Sequence, residues 1–446
     1  MEESPAQIAA EEIVQRLRAE GYEAYFAGGC VRDLLLGHEP SDFDVATSAH
    51  PDVVLKLFER TFAVGAHFGV VLVADEIDGQ EIVTEVATYR SDEAYTDGRR
   101  PESVRFSGSA EEDVVRRDFT INGMLLDPQT GTVLDYVGGQ ADLASKLVRA
   151  IGDPAQRFEE DKLRMLRAVR FAARFEFEIE EQTEAAICAS ATKIHQVSRE
   201  RIRDELTRML TEGQARRAFE LLDRTGLLKE ILPEIDRLHG VEQPPEFHPE
   251  GDVWTHTMML LEQLPAGVSA MLAWGALLHD AGKPATFQPG PGRIRFNGHV
   301  EVGVRIAEEI GRRLRFSNEE ATQVAALVEN HMRFGDVERM KASTLKRFFR
   351  LDRFEEHLAL HKMDCLASHR DLQLYNFAKG KYEATPSEEV RPALLLTGRD
   401  LIAAGYKPGP EFKRLLALAE DAQLEGRIHS QEEALVLVAE ATRGQR

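Results

Sequence analysis

The pattern of apolar residues changes character once along this chain, at Gly152-Asp153-Pro154. Before that point short β-rich runs alternate with short helical ones. After it strand signals nearly vanish, and helical spacing runs through 158–175, 181–191, 199–211, 214–223, 252–264, 268–280, 299–315, 319–331, 343–349, 354–369, 397–404 and 410–422. A chain divided in this way is not a repeated α/β unit. It is read as α+β, a mixed head followed by a long all-α body. At roughly 150 residues per domain, its 446 residues suggest about three units.

Within the head, Ile8, Ile13, Val14 and Leu17 give 6–20 a helical stripe that Gly21 stops. Tyr25–Ala27 reads as a strand entering Gly28-Gly29, with a short helix over 31–36, a strand over 43–46 and a helix over 52–60. Two β-rich runs, 68–74 and 81–89, are joined through Asp78-Gly79 as a hairpin. The stretch 90–102 is polar and reads as a mobile loop, and 103–150 mixes short strands with turns. Pro233, Pro244-Pro245 and Pro249 mark a linker into a second helical unit, and Pro386, Pro392 and Pro408–Pro410 punctuate the tail.

Charge bounds the partners. The net formal charge of −21 disfavours a DNA-coating protein, because non-specific binding is driven by basic charge. The stretch 193–217 is locally basic, and a positive face there would steer RNA. Cys30, Cys188 and Cys365 are far apart with no CxxC pair, which fits a reducing compartment. No run approaches the roughly 18 apolar residues of a membrane helix, and the first residues lack a secretory pattern, so no membrane partner and a cytoplasmic setting are expected.

Three constellations in the first half carry chemistry. The first is Gly28-Gly29-Cys30-Val31-Arg32-Asp33, followed by Asp42-Phe43-Asp44. A Gly-Gly turn between strand and helix presents backbone N–H groups with no Cβ in the way, which suits phosphate oxygens, and Arg32 adds a charged donor. Asp42 and Asp44 at i and i+2 of a strand share a face. They repel each other unless solvated or holding a cation. Mg²⁺ takes one or two carboxylates plus substrate phosphates, so turn and pair together describe a metal–nucleotide site. Glu85 is the candidate third carboxylate, though a solvent-facing strand residue would read the same way.

The second constellation is Arg116-Arg117-Asp118-Phe119-Thr120-Ile121-Asn122, which offers arginines for phosphate, an acceptor for a ribose hydroxyl and a mixed donor–acceptor amide. The third begins at Glu160-Asp161-Lys162-Leu163-Arg164. Asp161 and Arg164, spaced i, i+3, are expected on one helical face, with Arg167, Arg170 and Arg174 continuing a basic stripe.

These three motifs, in this order, resemble the class II tRNA nucleotidyltransferases (CCA-adding enzymes) and their sister bacterial poly(A) polymerases, over roughly residues 20–230. The resemblance implies a polymerase-β-type nucleotidyltransferase head, a mixed sheet with flanking helices, followed by an all-α neck, body and tail. It implies Asp42 and Asp44 as Mg²⁺ ligands, with Glu85 as third carboxylate. The 3′-hydroxyl of a tRNA would attack the α-phosphate of CTP or ATP. Gly28, Gly29, Arg32, Arg117, Asp118, Asn122, Arg167 and Arg170 would bind the nucleotide. Asp161 and Arg164 would choose the base. Cytosine and adenine both pair an amino donor with a ring-nitrogen acceptor, whereas uracil and guanine present a carbonyl to the carboxylate. The loop Tyr89–Pro101 also matches the family, and its presence argues for addition of the terminal A.

The helical half carries His256, His279-Asp280, His299, His331 and Asp364 in order. This set resembles the HD phosphohydrolase superfamily and implies a second divalent metal, Mn²⁺, Ni²⁺, Fe²⁺ or Zn²⁺, activating water against a phosphoester. The domain reading is then 1–150 nucleotidyltransferase head, 151–240 neck and body, 241–375 HD domain and 376–446 helical tail. The alternatives are a poly(A) polymerase or partial (CC- or A-) adding enzyme, an antibiotic nucleotidyltransferase, or a phosphohydrolase whose head only binds RNA. The intact Asp42/Asp44 pair argues against the last. The oligomeric state is left open.

Overall fold

The computed structural model describes residues 4–65, 69–77, 79–92, 104–245, 248–290 and 293–443. The chain forms two compact units. One is Met1–Asp236 with Pro265–Gly267, and the other is Arg237–Leu264 with Val268–Arg446.

The first unit opens with a helix, Pro5–Ala19. Its start is set by Ser4, whose side chain accepts from the Gln7 N–H, and by Pro5 in the first turn. Its stripe of Ala9, Ala10, Ile13, Val14 and Leu17 is buried against one face of a mixed sheet. The strands are β1 (Ala24–Ala27), β2 (Asp44–Thr47), β3 (Thr61–Gly65), β4 (Val70–Ile77), β5 (Gln80–Thr88), β8 (Met124–Leu126) and β9 (Val133–Asp135), in the order β3-β4-β5-β2-β1-β8-β9. Strands β2 and β5 run parallel, and every other neighbouring pair is antiparallel. Side-chain alternation divides the sheet into two faces. Val71, Val73, Thr84 and Val86 are buried on the helix side, while Glu85 is exposed on the other. The ends of the expected loop 90–102 pair as a ribbon, β6 (Arg90–Asp92) with β7 (Val104–Phe106). Residues 93–103, most of the loop that matches the family, lie outside the described residues.

Helices Pro154–Glu160, Leu163–Arg174, Glu181–Ser190, Arg199–Thr211 and Ala215–Arg224 complete the functional part of this unit. The single helix expected over 158–175 is in fact two. Asp161 breaks it, with extended backbone (φ −145°, ψ 106°), and its carboxylate accepts from the Leu163 N–H at 3.0 Å to start the second helix. A short acidic side chain competes here for backbone donors that a continuing helix would have used.

The second unit is helical, with a short hairpin, Gln288–Gly290 against Arg293–Arg295, that the pattern did not show. Helices Gln373–Ala384 and Gln431–Arg443 were likewise missed, since each buries too few apolar residues to leave a clear stripe. Close packing fixes the central helices. A Cβ on Gly282 would lie 2.0 Å from the His299 carbonyl oxygen and 2.7 Å from the Gly303 nitrogen, and one on Gly275 would lie 2.7 Å from a Leu327 methyl. The start of helix His299–Arg313 therefore rests directly on the Gly282 backbone. Gly282→Ala is expected to push these elements apart and destabilise the second unit by about 1–3 kcal/mol, the usual cost of overpacking. A lowered urea midpoint for its unfolding transition checks this, and an unchanged midpoint would contradict the packing.

Candidate functional site

On the sheet face away from helix Pro5–Ala19 lies a cavity of about 1090 Å³. All thirteen residues singled out for the head line it: Gly28, Gly29, Arg32, Asp42, Asp44, Glu85, Arg117, Asp118, Asn122, Asp161, Arg164, Arg167 and Arg170. Three separated motifs thus meet in one space.

One wall is acidic. Strand β2 begins at Asp44, and Asp42 stands two residues before it. Phe43 between them is buried, so the two carboxylates share the exposed side as the spacing suggested. Val45 registers with Val86, which places Asp44 beside Glu85 on the neighbouring parallel strand. None of the three carboxylates forms an ion pair among the described residues. Burial, then Glu85, then Asp42 push the Asp44 carboxyl up to about 7, and burial and Asp42 also raise Glu85. Three clustered carboxylates with no bound base are a donor set that fits divalent cations.

The rest of the lining is basic and includes nine arginines. Most are locked. Arg116 and Arg117 both bind the fully buried Asp113, at 2.6 and 2.9 Å. Arg117 also limits the glycine turn: Gly28 has φ +75°, and a Cβ there would lie 3.1 Å from the Arg117 guanidinium. Asp118 accepts from Arg167 at 2.6 and 2.8 Å, from the Asn122 amide at 3.1 Å and from the Phe119 N–H. Burial alone would raise its pKa, but these donors hold it at about 2. Arg170 binds Glu205 at 2.7 Å and lies over Phe171.

One expectation gains a second part and one changes. Arg32, expected as a phosphate donor, lines the cavity, and its guanidinium also binds Asp33 at 2.8 Å and the Asn122 oxygen at 2.6 Å and lies over Phe175, so it braces the wall. Asp161 and Arg164 do not share a helical face, because Asp161 sits in the break. They reach the same cavity from a cap and from the following helix. Asp161 is gripped by Arg201 at 2.7 and 3.2 Å, and Arg164 by Glu160 at 2.8 Å. The reading missed Arg208 as a site residue. It lines the cavity, is exposed and has no carboxylate partner among the described residues. Its place in the basic stretch 193–217 was the only signal.

The second unit gathers its six singled-out residues. His256, His279 and Asp364 form one potential ligand group, and Asp280, His299 and His331 another. The imidazoles are oriented alike. Nδ1 of His279, His299 and His331 faces the carbonyl three residues upstream, Ala276, Phe296 and Val328, at 2.8, 2.9 and 2.7 Å. That leaves each Nε2 pointing at the cluster. His299 and His331 Nε2 are buried without a hydrogen-bond partner and lie 3.9 and 3.8 Å from Asp280 Oδ1. Such fixed rings with free Nε2 atoms fit metal ligation. Burial pushes His331 down to about 4, whereas bonds to Asp364 and Glu250 lift His256 to about 9 against its burial. Lys283, 2.7 Å from Asp280, holds that carboxyl well below its usual range. Glu250, which orients His256 from Nδ1 at 2.8 Å, was not foreseen.

Comparison with known proteins gives the family. Family models match as Poly A polymerase head domain over residues 24–149, Probable RNA and SrmB- binding site of polymerase A over 176–238, and HD domain over 252–363. The CCA-adding enzyme of Levilactobacillus brevis is 32% identical over 425 residues, 95% of each chain. That of Geobacillus thermodenitrificans is 46% identical over 215 residues, 48% of this chain and 52% of the other. The crystal structure of the Bacillus stearothermophilus CCA-adding enzyme in complex with CTP superposes with a TM-score of 0.75 at 27% identity, covering 99% of both chains. The molecule is a nucleotidyltransferase with a poly(A)-polymerase-type head and an attached HD domain. Within that class, the chain belongs to the CCA-adding enzyme family. Head and HD families of this kind use divalent metals. No helix among the described residues is long and apolar enough to cross a membrane.

The acidic wall sets a pH dependence. Without metal, the folded chain binds a proton at Asp44 up to about pH 7, whereas the unfolded chain releases it near 4. The folded state thus holds more protons between these values, and stability falls as pH rises through that window. Asp44→Asn is expected to flatten this slope and raise the melting temperature at pH 8, measured in chelator. An unaltered slope would show that Asp44 is not the strained group.

Proposed function

We propose that this chain adds C and A nucleotides to tRNA 3′ ends from CTP and ATP, without a nucleic-acid template. The carrying observation is the division of one cavity into an acidic wall of Asp42, Asp44 and Glu85 and an arginine wall that includes Asp161 and Arg164. On this reading Asp42 and Asp44 hold two Mg²⁺, with Glu85 beside them. Bound there, the metals lower the pKa of the attacking hydroxyl and stabilise charge on the departing pyrophosphate.

The protein's own part is positioning. Arg117 meets the phosphates with its geometry set by Asp113, Asp118 and Asn122 meet the ribose, and Arg208 offers an uncommitted charge to the triphosphate tail. Asp161 accepts from the base amino group while Arg164 donates to the ring nitrogen. Uracil or guanine would set carbonyl against carboxylate, leaving buried groups unpaired. The division into head (1–150), neck and body (151–240), HD domain (241–375) and tail (376–446) belongs to the same proposal, as does a cytoplasmic setting.

The test is extension of tRNA lacking CCA. CTP alone is expected to add two C residues and stop, and ATP to complete the end. Long A tracts on generic RNA would make the chain a poly(A) polymerase. Asp42→Ala should abolish addition with little change in folding. Asp161→Ala should erode discrimination against UTP by at least roughly tenfold, the worth of one buried unpaired group. Unchanged selectivity would remove Asp161 from base choice.

For the second unit the proposed activity is metal-dependent phosphoester hydrolysis, with Mn²⁺, Ni²⁺, Fe²⁺ or Zn²⁺ held by His256, His279, Asp280, His299, His331 and Asp364. His279→Ala is expected to lose metal, measured by equilibrium dialysis, and phosphatase activity, while nucleotide addition persists. Retained metal and hydrolysis would reject the assignment.

A further inference from the structure

The sheet face that carries Glu85 does not end at the cavity. Val70 and Ala87, which line it, are registered partners on β4 and β5. The next pair outward on that face is Leu72 with Glu85, and the next is Ala74 with Val83. On β3, Phe62 registers with Leu72. Phe62, Leu72 and Val83, with the buried Ala74 beside them, therefore form an apolar strip continuous with the acidic wall. Phe62 is 51% and Val83 50% exposed, while the opposite side of the same strands is buried. Beyond it an ion pair, Arg60–Glu81, closes the face.

We infer that this strip receives the 3′-terminal base of the acceptor RNA, with Phe62 as its stacking surface. The inference rests on the proposed transfer reaction at Asp42, Asp44 and Glu85. Arg164, Arg167, Arg170, Arg174 and Arg208 lie on helices Leu163–Arg174 and Arg199–Thr211, so the polyanionic triphosphate belongs there. The acceptor hydroxyl must meet the α-phosphate from the side away from the departing pyrophosphate. The side remaining is the strip, whose described residues between Glu85 and Arg60 are apolar, which suits a base rather than a phosphate. Strands are spaced about 4.8 Å apart, which puts Phe62, two strands from Glu85, roughly 10 Å out. A ribose at the carboxylates with its base extended would span that gap. Stacking on an aromatic ring is sequence-tolerant, as an acceptor whose last base changes during successive additions requires.

The experiment uses the full-length protein and tRNA lacking CCA, whose 3′-terminal base is replaced by 2-aminopurine. Binding is expected to quench the probe in the unaltered protein and in Phe62→Tyr. Phe62→Ala is expected to lose the quench and to raise the KM for tRNA roughly tenfold, with the KM for CTP unchanged. Hydroxyl-radical footprinting should show Phe62 protected only when tRNA is added. Retained quench and KM in Phe62→Ala would overturn the inference, as would protection of Phe62 that is complete before tRNA is present, or an equal rise in the KM for CTP. Failure of the underlying reading looks different. In that case tRNA would still quench the probe and protect Phe62, but the unaltered protein would add no nucleotide.

Discussion

Charge segregation inside one cavity governs the head. Three carboxylates are brought together at adjacent strands with no arginine or lysine paired to them among the described residues, although nine guanidiniums line the same space. Had the arginines been free to swing, the two walls would have neutralised each other, and neither metal nor phosphate would have found an unspent charge. They are prevented by prior commitments. Asp113 holds Arg116 and Arg117, Asp118 holds Arg167, Glu205 holds Arg170, and Glu160 holds Arg164. The burial of Asp113, Asp118 and Glu205 makes these pairs costly to break. An acidic protein can thus carry a strongly basic wall, because the acids that fix it lie behind it.

The same logic explains why Asp161 and Arg164, the pair proposed to choose the base, do not form a simple helical face. A helix running unbroken from 158 to 175 would have held Asp161 and Arg164 one turn apart. The break at Asp161 lets a cap residue and a helical residue approach from different directions. Arg201, forty positions later, clamps the cap. A base edge is flat, and its donor and acceptor are met in one plane more readily from two supports than from successive turns of one. The partners now on Asp161 and Arg164 also keep both charges satisfied until a base arrives.

What was legible in the sequence follows from these distances. The glycine turn, the paired aspartates and the arginine run are local, and each was read in place. The two faces of the sheet were legible because alternation along β5 puts Val86 inside and Glu85 outside. The helix break was not, since an aspartate within an otherwise helical pattern does not show whether it will leave the helix and cap the next one, as Asp161 does for Leu163. The bracing role of Arg32 was hidden for a similar reason. A first-turn arginine beside a glycine turn shows nothing of Asn122, ninety residues away, which also binds its guanidinium. Glu250 escaped because a lone glutamate in a proline-rich linker has no pattern at all.

The HD centre shows how little sequence is needed when geometry is local. Three of its four histidines take their orientation from a carbonyl three residues upstream, a contact that any helix end can supply. A histidine placed at such an end is therefore aimed without help from distant side chains, and order along the chain is enough to suggest the site. His256 is different. It lies within a helix, where its own carbonyls are spent on backbone bonds, so its Nδ1 needs an outside acceptor, and Glu250 provides one. The histidine that sequence order could not orient is the one for which the fold had to bring in a carboxylate.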